Sequence, residues 1–124
     1  MRKSGAVLAA MLLVACSTVH TTRPGAVGVE REQTMLASAG QVNREADGAY
    51  RQTLQQAQKK NRLNQDPAQL ERVRGISNRL IVATGVFRPD APGWRWEVNV
   101  LTSKDVNAWC MPGGKIAFYT GILD

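Results

Sequence analysis

Apolar residues recur every three or four positions over residues 30–61, at Met35, Ala39, Val42, Ala46, Ala49, Tyr50, Leu54 and Ala57. That period gathers them on one stripe of a helix, with Arg44, Glu45, Arg51, Gln55, Gln56, Lys59 and Lys60 on the other face. Gly40 and Gly48 weaken the interior and mark where this helix could break. The basic run Lys59, Lys60 and Arg62 reads as favourable charge at a helix C-terminus rather than as an anion site.

A second helix is expected over residues 67–84. Asp66 is a good N-cap, Pro67 fits the first helical position, and Gln69 has capping-box spacing. Leu70, Val73, Ile76, Leu80 and Ala83 form its expected buried stripe, and Gly85 suits the position just past its end. Only Leu63, Asn64 and Gln65 lie between the two patterns, so the helices are expected to form an antiparallel hairpin. Past the Pro-rich turn at residues 88–93 the period changes to two. Trp94, Trp96, Val98 and Val100 share one face of a strand over 94–101, the tryptophans as packing rather than as a ligand platform. Further strands are expected over 106–111 and 115–120, separated by Pro112, Gly113 and Gly114. The fold class is therefore α+β, a helix hairpin followed by two or three strands.

Composition narrows the function. The chain has 124 residues, enough for one small domain, with 44% hydrophobic and 21% charged residues. Its formal charge of +6 is scattered, so nucleic acid is not an expected partner. One His and two Cys leave no His/Cys cluster for a zinc site and no Ser–His or Cys–His pair away from His20.

Arg2 and Lys3 precede ten unbroken apolar residues, 6–15. A membrane-spanning helix needs roughly 20, so residues 1–15 read as a signal peptide. Leu13, Val14, Ala15 and Cys16 resemble a bacterial lipobox, which makes Cys16 the expected lipidation site. Acyl chains there anchor the chain to membrane. Lipoprotein sorting rules imply an outer-membrane protein facing the periplasm, because Ser17 rather than Asp follows the cysteine. Residues 16–29, with Pro24, Gly25 and Gly28 and no apolar period, read as a lipidated tether, and His20 as a solvated residue within it. Cys110 is then the single thiol left, either reactive or, the favoured reading, a small buried hydrophobe beside Trp109 and Met111.

The block at residues 107–122, NAWCMPGGKIAFYTGI, reads as strand, tight glycine bend and strand. It closely resembles the strand block of peptidase family 48, the zinc endopeptidases of the HtpX, CAAX prenyl protease and BepA/LoiP types. The helices and the segment WRWEVNV at 94–100 are similar to the bacterial lipoprotein branch. The resemblance implies that residues 30–124 are the N-terminal part of a zincin-like metallopeptidase domain. It also implies a zinc cofactor for the complete enzyme, and unfolded or misassembled envelope proteins as substrates. It places Asn107, Ala108, Trp109, Cys110 and Met111 at the substrate-binding sheet edge, with Pro112, Gly113 and Gly114 as the bend; the alternative is a plain internal bend. In the family a His-Glu-x-x-His helix supplies two zinc ligands and the general base and a later Glu the third ligand, and no His-Glu pair occurs in this sequence. No catalytic or metal-binding residue is therefore assigned, and the chain alone is expected to be inactive. The alternative function is a non-enzymatic envelope lipoprotein that binds a protein or peptide.

Overall fold

The computed structural model describes residues 17–20, 28 and 32–123. The signal segment and Cys16 lie outside the described residues. The stretch read as a tether contains β1 (Ser17–His20), which pairs antiparallel with β2 (Glu32–Met35), a strand where the first helix was expected, Ser17 opposite Met35. The rest comprises α1 (Ala39–Lys59), α2 (Pro67–Thr84), β3 (Glu97–Leu101), β4 (Ala108–Met111) and β5 (Lys115–Tyr119). The α+β class is as expected.

The first helix starts at Ala39, nine residues later than its apolar pattern suggested. Only Met35 supported the earlier start, and local capping decides instead. Ser38 is extended and its hydroxyl accepts the Gln41 N–H at 3.2 Å. The helix runs unbroken through Gly40 and Gly48. It ends where Asn61 turns left-handed, φ 52°. Asn61 N then donates to Gln58 O at 3.0 Å and Arg62 N to Ala57 O at 2.8 Å, the paired bonds of a Schellman stop. The second helix is capped as its sequence indicates, Asp66 accepting from Ala68 N and Gln69 N. Gly85 keeps right-handed backbone, φ −59°, so it does not supply the left-handed stop expected of it.

The sheet order is β3-β5-β4, with β5 central, parallel to β3 and antiparallel to β4. The β4–β5 hairpin therefore docks its second strand against β3. The two helices cover opposite faces of this sheet, so their apolar stripes pack on strands rather than on each other. Tyr50, Leu54 and Ala57 of α1 pack with Leu101, Ala117, Trp109 and Met111. Leu70 and Val73 of α2 pack with Val98, Val100, Ile116 and Phe118. Strand β3 is consequently buried on both faces, Asn99 and Leu101 as well as Val98 and Val100, where one apolar face was expected.

Two other expectations are corrected. Along α2 the buried positions are Val73 and Ser77, while Ile76 and Leu80 of the expected stripe are exposed. The helix is rotated so that small Ser77 lets it approach the sheet. The tryptophans precede β3 rather than lying in it. Trp96 N donates to Trp94 O at 2.9 Å, a tight turn at Arg95, and the two rings stack at 5.6 Å. Trp96 in turn packs against the Gly114 backbone.

A chain of buried polar groups ties the layers together. The fully buried Tyr50 hydroxyl donates to Ile116 O at 2.6 Å and accepts from Asn99 Nδ2 at 2.9 Å. Asn64 Nδ2 donates to Asn99 Oδ1 at 2.8 Å. Burial pushes the Tyr50 phenol above its ordinary value of 10.0. Because the folded value exceeds the unfolded one, the stabilisation is complete below about pH 10 and is lost as pH rises through the folded value. Tyr50→Phe should cost about 1–3 kcal/mol at neutral pH, by leaving the buried Asn99 amide without its acceptor. It should also flatten the alkaline fall in stability; urea melts at pH 7 and pH 11 check both.

Candidate functional site

The two edges of the three-stranded sheet differ. At the β3 edge every outward backbone group with a hydrogen bond is taken up by other elements. Arg74 Nε donates to Val98 O at 3.1 Å, and Asn64 Oδ1 accepts Val100 N at 2.8 Å. Asn64 N donates to Val100 O at 2.8 Å, and Thr102 N to Arg62 O at 2.8 Å. Asn64 can serve both partners because it too is left-handed, φ 50°. The linker between the helices thus covers this edge at Val100 and Thr102, and α2 meets it at Val98 O.

The β4 edge is open. Tyr119 N donates to Asn107 O at 3.0 Å, which makes Asn107 and Tyr119 a hydrogen-bonded pair. Antiparallel alternation assigns Trp109–Ala117 and Met111–Lys115 to the same class. The N–H and C=O of Ala108 and Cys110 therefore point away from β5, and no backbone partner meets them among the described residues. Such an edge is a template for one more strand. Trp109 and Met111 anchor it on the α1 face, Trp109 meeting Tyr50 edge-on at 5.8 Å. Asn107 sits exposed just before the strand, so all five residues expected at a substrate edge lie along this one.

The bend is as tight as its glycines allow. Gly113 and Gly114 have φ of 80° and 81°. A Cβ on Gly114 would lie 2.7 Å from Trp96 Cδ2, so the indole packs directly on backbone. Cys110 is exposed, which corrects its reading as a buried hydrophobe: its side of β4 faces away from the α1 cluster and α2 stays over β3. Its partly desolvated thiol is nevertheless pushed up from the ordinary value, which disfavours the reactive thiolate.

Sequence reasoning missed the residue that fixes the bend end of the sheet. Lys115 is buried, and its Nζ donates to Arg95 O and Glu97 Oε1, both at 2.7 Å, with Asp47 Oδ1 at 3.8 Å. A lysine directly after a Gly-Gly bend and opposite a Glu in a parallel register was the available signal. Beside this group lies a cleft of about 340 Å³, walled by α1, residues 93–95 and the bend. Among the described residues no group of three His, Cys, Asp or Glu side chains comes together to hold a metal. Comparisons with protein-family models, with curated proteins and with solved structures find no match.

Removing the two partners of the Lys115 pair should have unequal effects. Glu97→Ala leaves the buried ammonium with only the more distant Asp47 carboxylate, 3.8 Å away, and should cost up to about 3 kcal/mol. Lys115→Met replaces the ammonium with an apolar chain and leaves only half-exposed Glu97, so it should cost much less. Thermal melts of the two variants decide this.

Proposed function

We propose that this chain is the N-terminal portion of a lipid-anchored, zinc-dependent metalloendopeptidase of the peptidase family 48 type, acting in quality control of envelope proteins. The observation that supports this reading is the open β4 edge, which falls within the residues 107–122 that carry the resemblance. In this reading an unfolded polypeptide adds as a strand along Ala108 and Cys110. Backbone pairing then supplies affinity with little demand on sequence, which suits an enzyme that clears misassembled proteins. Pro112 carries no N–H and ends the pairing, and the bend turns the chain back into β5. Asn107, exposed at the start of the strand, orients the substrate backbone. Zinc would supply Lewis-acid activation of the scissile carbonyl and of water in the complete enzyme. The described residues do not fit that metal, so no bond-breaking step is assigned to them.

A second reading uses the same edge without chemistry, as a lipoprotein that captures a peptide. The nucleotide sequence after the Asp124 codon separates the two. A His-Glu-x-x-His codon set, in frame or in a shifted frame, supports the enzyme; a stop followed by unrelated sequence supports the capture protein. In a form carrying that helix, Asn107→Ala should lower kcat/KM for an unfolded substrate while zinc content and melting temperature stay unchanged. Unaltered proteolysis would remove Asn107 from the substrate edge. Joint loss of activity and stability would return the segment to a purely structural bend.

Lipidation is tested independently. Mass spectrometry of the membrane-bound protein should find acyl mass on Cys16, and Cys16→Ser should abolish it. An unmodified Cys16 in the membrane fraction would remove the anchor from the reading.

A further inference from the structure

We propose that the cleft at the bend end of β4 binds a carboxylate of the peptide laid along that strand. The inference rests on the strand-addition reading above and gives it a chemical preference. Position comes first: Pro112 and Gly113 continue β4 directly from Met111 and form one wall of the cleft. A polypeptide running along Ala108 and Cys110 towards the bend therefore arrives at its mouth.

Charge decides what fits there. Four ionic side chains line the cleft, and two are already engaged. Lys115 is held by Glu97, and Asp47 is held by Arg51 at 2.8 Å. Arg44 and Arg95 have no ion pair or side-chain hydrogen bond among the described residues. Among the described residues the cleft thus carries two guanidinium groups without a partner and no acid without one. Planar guanidinium forks match a carboxylate, and two of them around one anion bind it more strongly than one.

The backbone beneath Arg95 is fixed in advance. The Trp94–Trp96 turn closes around it, and its carbonyl accepts from the buried Lys115 ammonium at 2.7 Å. Trp94 stacks on Trp96 and carries the Arg88 guanidinium 4.8 Å above its ring, so the indole is occupied and offers only an apolar wall. That arrangement favours an aliphatic carboxylate over an aromatic ligand. At about 340 Å³ the cleft takes one side chain or one chain terminus. The carboxylate can come from an Asp or Glu side chain or from a peptide C-terminus, and the test separates these sources.

The experiment measures binding of fluorescein-labelled, extended decapeptides to the 124-residue chain by anisotropy. Four peptides share one apolar sequence: an amidated Asn form, an amidated Asp form, an Asn form with a free C-terminus, and the Asp form N-methylated at alternate residues. The Asp or the free-acid peptide should bind about tenfold tighter than the amidated Asn form, whichever wins naming the source. Arg44→Gln/Arg95→Gln, both at exposed positions, should erase that preference. Equal affinities for all unmethylated peptides, a preference that survives in the double variant, or no binding at all would overturn the cleft. The methylated peptide tests the strand reading separately. If it keeps full affinity and its arginine dependence, the cleft stands without the β4 edge. If methylation abolishes binding while Asp and Asn forms bind alike, the edge stands without the cleft.

Discussion

The Tyr50 hydroxyl is the point on which the architecture closes. It is supplied by α1, donates to β5 through Ile116 O, and accepts from β3 through Asn99. Asn99 is in turn held by Asn64, from the linker between the helices. Four segments distant in sequence therefore share one chain of hydrogen bonds inside an otherwise apolar layer. A buried hydroxyl or amide without a partner costs about 1–3 kcal/mol, so this chain is satisfied only when helix, linker and both parallel strands are in one arrangement. Hydrophobic burial by Leu54, Ala57 and Leu101 tolerates small slips of register. The polar chain does not, and it selects the pairing of Asn99 with Ala117 that the apolar residues alone would leave loose.

That selection produces the asymmetry between the edges. Once Asn64 is drawn in to meet Asn99, its own backbone and amide lie beside Val100 and take up that residue's N–H and C=O. Closing the β3 edge is thus a by-product of the network that builds the core. No equivalent segment reaches β4 among the described residues, because the chain between β3 and β4 is spent on the turn that Thr120 clamps through Ser103. Functional interest falls on β4 for a physical reason: along its edge, successive outward backbone donors and acceptors, those of Ala108 and Cys110, meet no backbone partner among the described residues.

Much of this was legible in the sequence, and the rest failed for identifiable reasons. Alternation correctly sorted Val98 and Val100 from Asn99 and Leu101, and Ile116 and Phe118 from Lys115 and Ala117, because a period of two depends only on the pleat. Caps at Asp66 and the glycine bend at 113–114 were readable because their chemistry is local. What alternation cannot report is how many faces are covered. Asn99 and Lys115 looked like the solvent side of their strands, and they are buried because α1 lies over them. The stripe on α2 went astray similarly: Leu80 is more hydrophobic than Ser77, but the close approach of helix and sheet favours the small residue, and Leu80 is left 64% exposed. Cys110 was misjudged because a strand's outer face is buried only if something beyond the strand covers it.

Lys115 joins the fold to the candidate site. A buried ammonium is stable only with its charge met, and Glu97 and the Arg95 carbonyl meet it here. Both partners belong to the segment that enters β3, so the pair pins that entry against the start of β5, one register step from the Gly-Gly bend. The same bonds fix where Arg95 leaves the backbone and hold Trp96 against Gly114. An apolar residue in place of Lys115 could fill the space and preserve much of the stability. It would not hold the Arg95 carbonyl, and the turn that presents the Arg95 side chain would lose its anchor. The charge at this position is therefore explained less by stability than by the geometry it imposes on the cleft at the end of β4.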